Sequence, residues 1–160
     1  MRILIKSLFL FVTFSVGNTA PVQNPPISVF HSPEEAMKRI KLQKGFKLEL
    51  VASEPIINEP VIIERDANGR LYVVEMNTYM QDIDGKNQKE ATSRVVRFED
   101  TNGDNKMDKH TVFIDGLILP RMILPTTKDK VIVRETDSFD LYSYEDTNGD
   151  GRAEKKQLVF

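Results

Sequence analysis

The chain has 160 residues, a formal net charge of −2 and no cysteine. A composition that is 40% hydrophobic and 29% charged is that of a folded protein, long enough for one ordinary domain with its own core. The near-neutral charge, without a basic stripe, argues against nucleic-acid binding. The lack of cysteine excludes disulfides, covalent haem attachment and lipid attachment through cysteine in this chain.

Residues 1–20 are typical of a signal peptide. Arg2 and Lys6 give a positive start, an apolar run follows from Leu8 through Val16, and small residues come next. The run is short for a bilayer span, although an uncleaved N-terminal anchor stays an alternative. We therefore expect an exported protein, periplasmic or at the cell surface, in which residues 21–31 form an extended linker.

After the linker, the sequence predicts one short helix and then only strands and turns. Ser32 can cap a helix with Pro33 in its first position and Glu35 in a capping box; its buried side would carry Ala36, Met37 and Ile40, and it should end before Gly45. Period-2 alternation and β-branched runs predict strands at 46–50, 61–64, 70–75, 94–99, 109–114, 130–135, 141–145 and 155–160. Residues 66–69 and 115–116 resemble turns, and 117–125, with two prolines, a crossing segment.

Two acidic segments of nearly identical sequence lie 46 residues apart, at 100–108 and 146–154. Each has oxygen-bearing side chains at positions 1, 3, 5 and 9, and a backbone carbonyl available at position 7. The residues are Asp100, Asn102, Asp104, Lys106 (carbonyl) and Asp108, then Asp146, Asn148, Asp150, Arg152 (carbonyl) and Glu154. Glycine or asparagine at positions 4 and 6 lets the chain coil tightly. Since calcium takes about six to eight oxygen ligands, the spacing predicts one calcium site in each segment.

Other loop types remain alternatives to calcium sites. Asp, Asn and Gly are also the commonest turn formers, so each segment on its own could be an ordinary turn, and only the duplication favours calcium. A standard EF-hand needs a bidentate Glu at position 12, where this chain has Thr111 and Gln157. A dockerin-like module fits poorly, because its loops lie closer together and are followed by helices.

The acidic segments belong to a longer repeat. The strand at 70–75 corresponds to the strand at 130–135 with an offset of 60, whereas the acidic segments are offset by 46. An insertion between Met76 and Arg94 in the first repeat accounts for the difference. A strand-and-turn repeat of ~40–50 residues is the size of one β-propeller blade. We therefore predict an all-β fold, a partial β-propeller of about two blades preceded by one short N-terminal helix. Two unrelated hairpins in a sandwich are the alternative.

Several segments in order resemble a known family: 32–36 (SPEEA), 45–55 (GFKLELVASEP), 66–76 (DANGRLYVVEM), 115–117 (DGL) and the two acidic segments. Residues 32–160 resemble the N-terminal part of the PVC-type "membrane-bound dehydrogenase" domain, related to glucose/sorbosone dehydrogenase-like β-propellers of exported bacterial proteins. The resemblance implies a sugar- or alcohol-dehydrogenase-like oxidoreductase. Its implied partners are the remaining propeller blades or a downstream haem domain, and a small carbohydrate or alcohol. Better-known dehydrogenases of this fold use pyrroloquinoline quinone with calcium.

No catalytic constellation is recognisable in the sequence. His31 and His110 are the only histidines, and no motif matches the catalytic histidine or quinone-binding arginines of the quinone enzymes. Candidates to face a central cavity are Glu75, Asn77, Tyr79, Arg121 and Arg134. We therefore expect an exported calcium-binding propeller segment that is incomplete and inactive alone. The alternative is a non-catalytic secreted binding module with structural calcium loops.

Overall fold

The computed structural model describes residues 30–160, so the predicted signal peptide and most of the predicted linker lie outside the described residues. Contacts divide the chain after His31, and Ser32–Phe160 form one compact unit. Its elements are α1 (Pro33–Arg39), β1 (Pro60–Arg65), β2 (Leu71–Glu75), β3 (Ser93–Glu99), β4 (Lys109–Leu117), β5 (Pro120–Thr127), β6 (Lys130–Glu135), β7 (Tyr142–Glu145) and β8 (Lys155–Leu158). None of the helical segments within residues 30–160 has the length and apolar character of a membrane span.

The strands form two four-stranded antiparallel sheets, in the orders β1-β2-β3-β4 and β5-β6-β7-β8. Within each sheet, strands that are consecutive in the chain pair with each other, so both sheets are simple meanders. The predominantly β fold with one short helix is therefore confirmed. In the register, Glu99 pairs with Lys109 and Glu145 with Lys155, so the two acidic segments connect equivalent strands of the two sheets.

The insertion predicted between Met76 and Arg94 lies between β2 and β3. That connection spans residues 76–92, whereas the equivalent β6–β7 connection spans only 136–141. Thr78 Oγ1 donates to the Gln88 carbonyl at 2.9 Å, which closes the longer connection on itself. The two sheets therefore have the same topology, and the first has a longer loop between its second and third strands.

The sheets pack head to tail. The shared core contains Tyr72, Val74, Val95 and Phe113 from the first sheet and Ile123, Val131, Val133 and Tyr144 from the second. In the repeat Val133 corresponds to Val73, yet Val73 lies on the opposite face of the first sheet, in a separate cluster with Val96 and Phe98. The second sheet therefore packs on the first through the face that, in the first sheet, points away from the shared core. A head-to-tail contact of this kind can be extended by further sheets, whereas a face-to-face pair closes on itself.

Helix α1 begins as predicted but does not bury its apolar side. Ser32 Oγ accepts a hydrogen bond from the Glu35 N–H at 3.3 Å, with Pro33 in the first position. The prediction that Ala36, Met37 and Ile40 form a buried stripe is wrong, because no residue of the helix is buried. Apolar periodicity identifies the apolar side of a helix, but it does not supply the element that would cover it.

The strand predicted at 46–50 is also wrong. These residues pair with no strand, and Phe46 is 72% exposed. Leu48 and Leu50 instead line a cavity of about 490 Å³ together with Met37 of the helix and Asn105 of the first acidic segment. Alternation specifies an extended segment with two faces, but a strand also needs a neighbour with free N–H and C=O groups.

Residues 115–125 are more regular than predicted. Strand β4 continues through Asp115 and Gly116, which form an irregularity in its register with β3, where Gly116 has φ +71°. The predicted crossing segment 117–125 contains most of β5. Its prolines are tolerated because β5 is an edge strand, Pro120 is its first residue and Pro125 lies at a break in register.

Candidate calcium-binding loops

The two acidic segments, here called loop 1 (100–108) and loop 2 (146–154), share one pattern of internal hydrogen bonds. The carboxylate at position 1 accepts from the backbone N–H groups of positions 4 and 6. The donors are Gly103 and Asn105 to Asp100, at 2.7 and 2.8 Å, and Gly149 and Gly151 to Asp146, at 2.6 and 2.8 Å. The first predicted ligand of each loop therefore has the same orientation relative to its own backbone.

The other side-chain ligand positions repeat as well. At positions 3 and 5 each side chain accepts from the N–H two residues later: Asn102 from Asp104 at 2.9 Å, Asp104 from Lys106 at 2.8 Å, Asn148 from Asp150 at 2.8 Å and Asp150 from Arg152 at 2.8 Å. At position 9, Asp108 accepts from the Thr101 N–H at 3.1 Å and Glu154 from the Thr147 N–H at 2.8 Å. Both threonine hydroxyls donate to the same carboxylates. The structure thus folds all the side-chain candidates of each segment into one compact loop.

Left-handed backbone at positions 4 and 6 makes this shape. The φ angles are +80° at Gly103 and +67° at Asn105, against +82° at Gly149 and +96° at Gly151. Glycine enters this region without steric cost, and asparagine tolerates it better than most residues. The conformational role inferred for these four residues from the sequence is confirmed.

Three loop carboxylates, those of Asp100, Asp146 and Glu154, have a lowered pKa. Burial acts to raise the pKa of Asp100, but backbone N–H donors from Asn105 and Gly103 outweigh it and leave that pKa below its usual range. Burial likewise opposes the shift at Asp146, where Gly151, Gly149 and the Arg97 charge together lower the pKa. The Thr147 hydroxyl is the main cause of the lowered pKa of Glu154. Each loop is therefore a concentration of negative charge at neutral pH.

The donor chemistry of the loops fits a hard cation. Within residues 30–160, no three His, Cys, Asp or Glu side chains already converge as a metal-binding group. The predicted sites combine carboxylates with one amide oxygen and one backbone carbonyl, and the carboxylates are now turned toward backbone N–H groups. An all-oxygen set on a tight loop suits calcium, and calcium binding here stays a prediction.

A buried cluster of charges, missed from the sequence, lies beside loop 2. Its members are Asp66, Arg70, Arg97, Glu99, Asp129 and Asp146. Arg97 on β3 is only 4% exposed and joins the first sheet to Asp129 of the β5–β6 turn at 3.1 Å. An arginine inside the otherwise apolar run 95–98 was the available sequence signal, because a charge in a buried strand requires partners.

Comparison with known proteins places the chain in one family. A family model described as "Domain of unknown function (DUF7133)" matches residues 32–160. The chain belongs to this family. The match covers the helix, both sheets and both acidic loops, which are therefore parts of one DUF7133 domain. Neither the curated proteins nor the solved structures include a match to the chain.

Glu75, a candidate for a central cavity, has a structural role in the DUF7133 domain. It is fully buried, pairs with Arg94 at 2.5 Å and accepts from the Asn58 N–H at 2.9 Å. Its repeat equivalent Glu135 accepts from the Ile118 N–H at 2.6 Å in the same way. The duplicated contact indicates that both glutamates anchor the segment that leads into the first strand of each sheet.

The remaining polar candidates are engaged in local contacts. Asn77 accepts from Asn58 Nδ2 at 3.0 Å, Arg121 lies 5.3 Å from the Tyr79 ring and Arg134 lies 5.3 Å from the Phe139 ring. His110 is exposed and stacks on Phe98, with ring centroids 5.9 Å apart. His31 lies at the boundary before the domain. The structure thus brings Tyr79 and Arg121 together but assembles no catalytic group from these residues.

Proposed function

We propose that the DUF7133 domain is a calcium-binding segment of an exported β-propeller protein related to sugar or alcohol dehydrogenases. The observation that carries the calcium part is the repetition of one hydrogen-bonded loop, with the same four side-chain ligand positions, at the same strand connection of both sheets. Turn formation alone requires no oxygen at position 9, yet Asp108 and Glu154 both fold back to position 2. An oxygen at that place is the fourth side-chain ligand of the predicted calcium site.

The calcium would have a structural role. Both loops join the last two strands of a sheet, at the end that also holds the β1–β2 and β5–β6 turns. Glu75 and Arg134, which the sequence suggested for a central cavity, lie at the ends of β2 and β6 away from the loops. Metal bound only by the folded state stabilises it by mass action, by about 2.7 kcal/mol when free metal is 100-fold above its dissociation constant.

Calorimetric titration of the purified full chain with calcium tests this proposal. We expect two sites, of which Asp104→Ala removes one and Asp150→Ala the other, because each substitution deletes the position-5 ligand of one loop. Asp84→Ala, an exposed aspartate outside both loops, is the matched control and should leave both sites intact. A folded sample that shows neither calcium-dependent heat nor a rise in melting temperature would refute calcium binding.

Head-to-tail packing supports the propeller part of the proposal. The face of the first sheet with Val73, Val96 and Phe98 corresponds to the face by which the second sheet packs on the first. Repeats that pack through unlike faces can continue with more copies of the same unit, as propeller blades do. The remaining blades, or a haem domain elsewhere, would be the implied partners, and a quinone or haem the implied redox group.

A non-catalytic secreted binding module is the second candidate, favoured by the engagement of Glu75 and Glu135 in structural hydrogen bonds. We expect no dehydrogenase turnover from the isolated chain, since its sequence contains no recognisable catalytic motif. A dye-reduction assay with pyrroloquinoline quinone, calcium and a panel of sugars and alcohols checks this. Sustained turnover that disappears without quinone would contradict it and favour the enzyme. Retained binding of a carbohydrate without turnover would favour the module.

A further inference from the structure

Loop 2 docks on the first sheet, whereas loop 1 has no equivalent backbone contact with a neighbouring sheet among residues 30–160. The Ala153 N–H, at position 8, donates to the Phe113 carbonyl of β4 at 2.8 Å. A Cβ placed on Gly151 would lie 3.0 Å from Arg97 Nη2 and 3.1 Å from Thr111 Cγ2. The backbone of loop 2 is therefore in direct contact with β3 and β4 of the neighbouring sheet.

Arg97 places a positive charge against the predicted calcium ligand Asp146. Its Nη1 lies 3.6 Å from Asp146 Oδ2 and 3.1 Å from Asp129 Oδ1, and its Nη2 lies 3.1 Å from Glu99 Oε1. The Asp146 side chain is only 1% exposed, so water screens this pair poorly. A guanidinium stays protonated in proteins and cannot remove the charge by titration.

The cation beside loop 2 has no equivalent at loop 1 among residues 30–160. The hydrogen bonds that Asp100 accepts come from the backbone of its own loop. The two loops thus share their internal geometry and differ in one buried charge.

We propose that Arg97 is a built-in competitor of calcium at loop 2, so that it sets the affinity of that loop for calcium and leaves loop 1 unaffected. This inference rests on the proposed calcium binding. A calcium ion held by Asp146 would stand within a few ångströms of the guanidinium, and two like charges in a poorly screened setting repel strongly. The ion would also take Asp146 from Arg97, which keeps Asp129 and Glu99 as partners. Calcium at loop 2 would therefore loosen one polar contact between the two sheets.

The test measures the calcium affinity of each loop separately by titration calorimetry on the full chain. Asp104→Ala leaves only loop 2 to bind, and Asp150→Ala leaves only loop 1. We expect Arg97→Gln to tighten binding at loop 2 by about tenfold or more and to leave loop 1 unchanged. Arg97→Lys keeps the charge and should keep the wild-type affinity, which separates the effect of charge from the effect of shape.

A second variant covers the case in which Arg97→Gln does not fold. Asp129→Asn retains Arg97 but removes a carboxylate that partly neutralises the guanidinium. The guanidinium would then repel calcium more strongly, so loop 2 should bind calcium several-fold more weakly. Unchanged or weaker binding at loop 2 in Arg97→Gln, or unchanged or tighter binding in Asp129→Asn, would overturn the role of Arg97. If the folded wild-type chain binds calcium at neither loop, the proposed function itself fails, and the competitor role fails with it.

Discussion

The two acidic loops differ at position 6 in both residue type and surroundings. Loop 1 has Asn105 there, exposed at the surface, whereas loop 2 has Gly151, buried against Arg97 and Thr111. Both residues adopt a left-handed conformation, at φ +67° and +96°. A side chain is thus accommodated where the loop faces solvent and excluded where it packs on the neighbouring sheet. The comparison shows that the ligand spacing predicts the conformation of the loop, whereas packing against the neighbouring sheet limits which residue fits at position 6.

The largest difference between the loops should appear when the position-1 carboxylate is removed. We expect Asp146→Ala to lower the free energy of unfolding in calcium-free buffer by about 3 kcal/mol, because it breaks a buried charge pair and leaves two loop N–H groups without an acceptor. Asp100→Ala removes equivalent hydrogen bonds at the surface, where water can replace the carboxylate, and should cost clearly less. Urea denaturation followed by circular dichroism gives both values.

An Arg97→Gln,Asp146→Ala double variant shows whether the Arg97–Asp146 pair causes the difference. If it does, the double variant should be more stable than the sum of the two single losses predicts, since the second substitution removes a charge that the first left unpaired. Equal costs for Asp146→Ala and Asp100→Ala would mean that loop 2 gains nothing from its contact with the first sheet.

Exchanging the residues at position 6 gives the next largest effect. Gly151→Asn introduces a side chain 3.0–3.1 Å from Arg97 and Thr111 atoms, and such overpacking should cost about 2 kcal/mol. The reciprocal change Asn105→Gly, in an exposed position, should change stability by less than about 0.5 kcal/mol. Thermal melts of the two variants beside the wild type measure both effects. Similar losses in the two variants would show that packing on the first sheet is not what distinguishes position 6 of loop 2 from position 6 of loop 1.

Most of the strands and both loops could be predicted from local sequence, because they depend on signals within a few residues. Alternation and β-branched runs located most of the strands, and the loop spacing located the hydrogen-bonded segments. Strand β5 was missed because Pro120 and Pro125 indicate a strand break, and only its edge position makes them compatible with pairing. The segment 46–50 failed for the opposite reason, since its pattern was suitable and its partner was absent.

The surroundings of the candidate sites could not be predicted in the same way. Arg97 and Asp146 lie 49 positions apart in the chain, and their contact depends on how one sheet packs on the other. Sequence repetition suggested that the two loops are alike, which is correct for their internal geometry. It contained no signal that a charge from one repeat unit would stand beside the loop of the other.

The smallest expected difference between the loops is their contribution to the loss of stability at acid pH. The pKa values of Asp100 and Asp146 both lie below their usual range, although burial acts to raise them, because backbone donors favour the charged form in both loops and Arg97 does so in loop 2. A carboxyl with a lower pKa in the folded state stabilises that state fully above about pH 5. This contribution is lost as the pH falls through about 4 toward the folded pKa. We expect Asp146→Asn, compared with Asp100→Asn, to remove more of the stability lost between pH 7 and pH 3 in calcium-free buffer. Urea midpoints at these two pH values for the wild type and both variants measure it; an equal loss in both variants would mean that Arg97 does not contribute to holding Asp146 ionised.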